Sequence, residues 1–481
     1  MRRAMLFLLL VATGLTASLL RADSAPAARS SGASSRGDAM LADYFADQVR
    51  QIRANSLTEI TSASQWESRK EEYRRQLAEM LGLWPMPQRT ELNPVITGKV
   101  EQPEFTVERL EFQSMPHLYV TGDLYLPKKI DKPLPAILYV CGHSEVKQGN
   151  VSLGNKTAYQ HHGEWFARNG YVCLVIDSLQ LGEIEGIHHG TYRYGMWWWH
   201  SRGYTPAGVE AWNGIRALDY LCSRPEVDPN RIGMTGRSGG GAYTWWVAAL
   251  DERVKVAAPV AGITDLQNHV VDGTVEGHCD CMFIDNTYRW DYPQVGALVA
   301  PRALLICNSD KDTIFPLDGV YRVHEQVRRI YRLLHAEQNL GLIITEGPHK
   351  DTQEIELPVF HWFNRFLKND QSLIDKVATP MLQPAQLRVF DTLPSDQINT
   401  KIQETFVPTA PGPAVPASAQ QWAAMRDGWM KAQQAKTFGG WPRSASSVQP
   451  RPAFSIAHDG IRFSAFDFES QPHVLLRLSQ L

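Results

Sequence analysis

The chain has 481 residues, 43% of them hydrophobic, which is enough for one large core with accessory segments. Its formal net charge is −3 and no block of like charges occurs, which argues against nucleic acid as a partner.

The chain opens "MRRAMLFLLLVATGLTASLLRADSAPAARS". Two arginines, an apolar stretch from Met5 to Leu20 and small residues after it predict a signal peptide over residues 1–28, cut between Ala22 and Ala28. The apolar stretch is short for a membrane-spanning helix, so a secreted or periplasmic protein without stable membrane insertion is expected. Residues 29–38, "RSSGASSRGD", read as a disordered leader. Helical periodicity then runs over residues 40–84 and stops at Pro85, making 29–90 a leader and helical segment. Alternating patterns at 105–113 ("FTVERLEFQ") and 118–127 ("LYVTGDLYLP") predict two strands.

From Pro135 short apolar strands alternate with helices. Strands are expected at 136–142, 171–178, 231–236, 254–262, 302–308 and 340–347, and helices near 157–169, 207–223, 239–250, 318–335 and 352–368. Near-continuous apolar strands separated by helices predict a mostly parallel α/β sheet covered on both faces, doubly wound, with the leading antiparallel strands at one edge. Two long inserts, 179–206 and 263–300, interrupt the pattern as lids or binding walls. After Asn369 the alternation ends. "PTAPGPAVPASA" (408–419) is a linker by composition, and a short helix "QQWAAMRDGWMKAQQ" follows. "FQSMPHL" at 112–118 recurs as "FESQPHV" at 468–474, so residues 371–481 are read as an extension that ends just inside the opening strands of a second, similar domain.

The chemistry centres on "GMTGRSGGGAYTWWVAAL" (233–250). A phosphate-binding loop would need a lysine after the glycines, and a dinucleotide loop would follow the first strand of its unit. Here the third parallel strand leads into Gly236-Arg237-Ser238-Gly239-Gly240, a G-x-S-x-G turn between strand and helix. Ser238 is the expected nucleophile. A hydroxyl needs a base and the base needs an orienting acid, in the chain order Ser, acid, His. Asp312 in "SDKDTIFP", with Asp310 as the alternative, and His349 in "GPHKDTQE" supply them. The backbone N–H groups of Gly239 and His143 are the expected oxyanion donors.

"YVCGHS", "IDSLQLGE", "GRSGGG", "APRALLI", "SDKDTIFP" and "GPHKDTQE" resemble the acetyl xylan esterase-like branch of the α/β-hydrolases, over residues 40–370. The catalytic domain is drawn at 91–370. The resemblance implies an α/β-hydrolase fold, hydrolysis of an ester (commonly acetyl) on a carbohydrate, and no cofactor. It implies the same roles for Ser238, Asp312, His349, His143 and Gly239. Arg237 is read either as a contact for a substrate carboxylate, as uronic-acid esterases need, or as an ion pair within the fold. Trp197, Trp198 and Trp199 either pack the first insert onto the body or form a platform for a sugar ring or acyl group. "GHCDC" (277–281) offers His278, Cys279, Asp280 and Cys281, but its cysteines are closer than a zinc site usually spaces them, and no metal is expected. A turn, or a disulfide to a distant cysteine, is the expectation there; His161-His162 and His188-His189 are likewise not read as ligands. A prolyl oligopeptidase-type peptidase and a non-catalytic glycan-binding module are the competing functions.

Overall fold

The computed structural model describes residues 35–441 and 448–481; the signal peptide expected at 1–28 lies outside the described residues. Two helices come first, α1 (Arg36–Asn55) and α2 (Ala63–Met80). The start of α1 corrects the reading of 29–38 as leader throughout. Ser35 accepts from the Asp38 N–H while Asp38 accepts from the Ser35 N–H, and this reciprocal cap starts a helix inside the polar segment. The Ser62 side chain caps α2 by accepting from the Gln65 N–H, so the periodic stretch is two helices rather than one. Among the described residues, no helix is long and apolar enough to cross a membrane.

The strands β1 (Val95–Glu101), β2 (Phe105–Met115) and β3 (Leu118–Pro127) form an antiparallel meander. β4 (Leu134–Val140) follows, then a two-residue hairpin, β5 (Lys147–Gln148) and β6 (Val151–Ser152). Helix α3 (Gln160–Arg168) leads into β7 (Val172–Ile176). The first insert carries two single-turn helices, α4 (Gly190–Tyr194) and α5 (Trp198–Arg202), before α6 (Pro206–Ser223). Then come β8 (Val227–Arg237), α7 (Gly239–Leu250), β9 (Val254–Val260), α8 (Pro293–Ala297), β10 (Ala303–Lys311), α9 (Leu317–Leu333), β11 (Leu340–Pro348) and α10 (Gln353–Phe363). The main sheet has nine strands in the order β1-β2-β3-β7-β4-β8-β9-β10-β11. Pairing from β7 through β11 is parallel, and β3 joins β7 antiparallel.

The strands are apolar on both sides because both faces are covered. One core packs α2, α6, α7 and α9 on the sheet through Trp66, Trp212, Trp246 and Val327. The other packs α3 and α10 through Trp165, Phe166, Phe360 and Phe363, with the Trp165 and Phe360 rings stacked 3.9 Å apart. The body does not end at 370. Residues 381–399 are laid back over it. Met381 N–H donates to Glu164, Leu382 N–H to Gln160, and the Val389 and Phe390 N–H groups to the two oxygens of Glu183.

Past an exposed stretch at 408–417, α11 (Ala419–Lys436) precedes a separate antiparallel sheet, β12 (Arg451–His458), β13 (Ile461–Gln471) and β14 (Val474–Gln480). Its register reproduces the first meander at one constant spacing along the chain. Val95↔Glu111 corresponds to Arg451↔Asp467, the irregularity at Ile96/Gly98 to that at Pro452/Phe454, and that at Gln113/Met115 to Glu469/Gln471. The turn residues His117 and His473 share a φ of 66°.

Candidate active site

Parallel strands all point the same way, so their C-terminal ends gather at one rim of the sheet, where a reaction centre can be assembled from distant residues. Ser238 stands between β8 and α7 with φ 60° and ψ −119°, a backbone conformation that costs energy in a non-glycine residue. The turn is held by close approach of its neighbours. A Cβ on Gly240 would lie 2.1 Å from the Val140 carbonyl oxygen, and one on Gly236 2.2 Å from the same atom. The Ser238 N–H donates to the Val260 carbonyl (2.9 Å).

Asp312 follows β10 and His349 follows β11. His349 Nδ1 lies 2.7 Å from Asp312 Oδ2, and its Nε2 lies 2.8 Å from Ser238 Oγ. A carboxylate can only accept, so Nδ1–H donates to Asp312 and Nε2 is left to accept from the serine hydroxyl. The other Asp312 oxygen accepts from the Ile314 and Phe315 N–H groups at 2.9 and 3.0 Å. Asp310 is exposed and accepts from the Gly347 N–H (2.7 Å), which orders the loop ahead of His349. Ser309 Oγ–H donates to the Pro348 carbonyl (2.9 Å), joining the two loops.

The loop after β4 closes the other side of Ser238. Asn155 Nδ2–H donates to the Gly142 carbonyl (2.6 Å) and to Ser178 Oγ (2.8 Å). Among the described residues, no hydrogen bond engages the backbone N–H of His143 or of Gly239. The His143 imidazole lies over the elbow, so that a Cβ on Gly239 would meet its Cε1 at 2.6 Å.

Arg237 has a buried Nε without a hydrogen-bond partner. It is 8% exposed and its Nε lies 3.9 Å from Asp351 Oδ1, inside the fold. Asp351 is also 3.0 Å from His162 Nε2 and 3.7 Å from His161 Nε2, and Glu356 is 3.3 Å from His161. Burial opposes charge on Asp351, but the imidazoles of His162 and His161 hold its carboxyl well below the ordinary range. Burial likewise pulls the His161 imidazole down, and Asp351 and Glu356 outweigh it, setting its value at about 9. This half-buried charge cluster, reached through Asp351 two residues beyond His349, ties the loop that carries it to α3 and α10. The adjacent histidines gave no sequence signal for that role, because their acidic partners come from another part of the chain.

The tryptophans separate. Trp199 is 1% exposed, its ring set against Gly190 and 5.0 Å from Tyr204, so it packs the insert and cannot serve as a platform. Trp197 and Trp198 are 64% and 44% exposed. Trp197 lines a cavity of about 400 Å³ between the two inserts, with Tyr192, His200, Tyr204, His278 and Phe283. Trp198 does not line it. His278 lines this cavity. Burial first, then the nearby His349 and His143, lower its imidazole below the ordinary value. "GHCDC" forms the expected turn, a single 3₁₀ turn at Asp280–Met282. The expected distant disulfide is not formed: all six cysteines are free thiols.

The model of the prolyl oligopeptidase family matches residues 157–368, and that of the Abhydrolase family residues 47–254. A putative hydrolase, YtaP, of Bacillus subtilis is 25% identical over 301 residues, 62% of this chain and 99% of the relative. An uncharacterized peptidase, YuxL, of the same organism is 23% identical over 54% of this chain and 39% of its own length. Among solved structures, the methylesterase BT1017 aligns with a TM-score of 0.55 at 20% identity, covering 79% of this chain and 81% of its own. A glucuronoyl esterase from Solibacter usitatus aligns with a TM-score of 0.51 at 19% identity, covering 63% and 94%.

Proposed function

We propose that the chain, whose fold is that of the α/β-hydrolases, is a secreted serine carboxylesterase that removes ester groups, acetyl in the first instance, from a polysaccharide or oligosaccharide of plant or algal type. The observation that carries this reading is the unbroken path from Asp312 through His349 to a serine hydroxyl held in a strained elbow. Ser238 Oγ attacks the ester carbonyl as His349 Nε2 takes its proton, while Asp312 holds the imidazole in the tautomer that can do so. The negative oxygen of the tetrahedral intermediate is received by the Gly239 and His143 N–H groups, each contributing roughly 3–4 kcal/mol. His349 then protonates the departing sugar oxygen. Water, deprotonated by the same imidazole, releases the acid from the acyl-enzyme. The cavity beside Trp197 is where the sugar rests in this reading.

The glucuronoyl esterase, by its name, points to the ester of a sugar acid as a rival to acetyl. Arg237 stands 3.9 Å from Asp351, an internal ion pair that weighs against its holding a substrate carboxylate. A serine peptidase is the second reading, favoured by the match to the prolyl oligopeptidase model over residues 157–368. Acetylated xylan, methyl-esterified uronates and short proline-containing peptides, offered to wild type and to Ser238→Ala, discriminate among these. Release of acetate by wild type and a loss of about 10⁶ in turnover in Ser238→Ala are expected. Peptide cleavage without ester cleavage would replace the esterase reading. Absence of all turnover, together with no fluorophosphonate labelling of Ser238, would leave only a glycan-binding module.

A further inference from the structure

Outside the Ser–His–Asp array, one cluster joins three parts of the molecule that the sequence keeps far apart. His143 comes from the loop after β4, His188 from the first insert, and Cys279 and Cys281 from the second. One donor atom each of His143, Cys279 and Cys281 lies within 4.8 Å of the other two. His143 Nε2 and Cys281 Sγ are 3.5 Å apart. An imidazole nitrogen and a thiolate sulfur bound to one tetrahedral zinc, at about 2.0 and 2.3 Å from it, stand about 3.5 Å from one another. Both cysteines are buried and neither is in a disulfide. The Cys281 N–H donates to Cys279 Sγ (3.4 Å), a bond that favours the thiolate a metal requires. His188 supplies a second, separate observation. Its ring centroid is 5.0 Å from that of His143, it faces Cys279, and its Nε2 is buried with no hydrogen-bond partner.

We propose that His143, His188, Cys279 and Cys281 form a structural zinc site that fastens both inserts to the oxyanion loop. Two thiolates balance the two charges of Zn²⁺, and two neutral imidazoles complete four-coordination, so the buried site carries no net charge. Thiolate ligands select zinc over the hard cations, which prefer oxygen. With four protein ligands the metal keeps no open position, so it activates no water. Its effect is positional: a metal-bound His143 is pinned over Gly239, and the backbone N–H beside it is fixed where the oxyanion forms. The sequence disfavoured this site because the two cysteines are separated by a single residue, closer than a zinc site usually spaces them. The fold brings the other two from elsewhere. The inference stands apart from the choice between esterase and peptidase, since either would use the same oxyanion loop.

The full chain, purified without a histidine tag, is first analysed for bound metal, then stripped with a chelator and titrated with zinc alone and with cobalt alone. About one zinc per chain is expected, together with the visible bands and the sulfur-to-metal charge-transfer absorption of tetrahedral cobalt thiolate. In Cys279→Ser/Cys281→Ser the charge transfer disappears and zinc affinity falls by at least 100-fold. His188→Ala weakens binding at least 10-fold, and Cys222→Ser, remote from the cluster, binds as wild type does. If the double variant does not fold, the cobalt spectrum of wild type decides alone. A wild-type spectrum without thiolate charge transfer, or zinc bound equally by wild type and the folded double variant, would overturn the site.

Discussion

At the scale of single residues, the molecule places backbone strain at the rim where Ser238, His349 and Asp312 meet. Ser238 is held at a positive φ by a helix that begins one residue later and by a neighbouring strand that leaves no room for a Cβ at Gly240. Buried acids elsewhere illustrate the opposite case, a group disfavoured by its surroundings. Burial of Glu111, with repulsion from Asp396 second, pushes its carboxyl up to about 7, and its Oε2 has no hydrogen-bond partner. In the unfolded chain the same group ionises near 4.3, so between about 4.3 and about 7 the folded state holds the extra proton. Stability from this residue is therefore present at acid pH and is lost as pH rises through about 7. Glu111→Gln removes that loss. Thermal melts are expected to coincide with wild type near pH 4 and to show stabilisation on the order of 1 kcal/mol at pH 8, after allowance for partial solvent access. A variant less stable than wild type at pH 8 would show that the carboxylate is paired after all.

At the scale of elements, the first insert shows how one short run of identical residues divides into different tasks. A turn of helix, α5, separates the three tryptophans by about 100° each, so they cannot share a face. Trp199 points inward under Gly190, while Trp197 turns to the cavity. Trp199→Ala is expected to cost about 3–5 kcal/mol, read from denaturant melts, as other buried tryptophans do. Trp197→Ala should leave stability within about 0.5 kcal/mol and instead raise KM for a polymeric substrate, kcat on a small aryl ester being unchanged. Equal destabilisation by the two would contradict the division. The second meander, β12–β14, makes a related point. Its two bulges and its turn recur at the positions where the first meander has them, although the strands share few identical residues. Register is carried by turn geometry and by the alternation of side chains, and both survive wide substitution.

At the scale of the whole molecule, the chain has a body and a tail joined by an exposed stretch. Residues 381–399 belong to the body, because their N–H groups are taken up by Glu164, Gln160 and Glu183. The stretch 408–417 has no regular structure and no buried residue. A protease that cuts after small residues should therefore cleave there first, and the body should keep its melting temperature and its reactivity toward a fluorophosphonate. Mass spectrometry of the early fragments reads the outcome. First cleavage within 371–407 would place the boundary where the change in sequence pattern had suggested it.

Much of this architecture is local in origin and was therefore legible in the sequence. The parallel strands declared themselves as apolar runs because both faces of the sheet are covered, and the G-x-S-x-G turn because only small residues tolerate so close an approach. Asp312 and His349 could be picked out as candidates because each follows a strand at a loop of fixed kind. β1, half exposed at the sheet's edge, carried no such pattern and was missed. The composition shift at 370 misplaced the end of the body because the segment after it docks through backbone N–H groups, which every residue type possesses. The direction of Arg237, the burial of Trp199, the anchoring of the His349 loop by His161, His162, Asp351 and Glu356, and the meeting of His143 with Cys279 and Cys281 were decided only by tertiary structure. Each depends on which distant segments share a neighbourhood. A sequence displays the donors and acceptors a chain carries, and the packing of elements determines which of them meet.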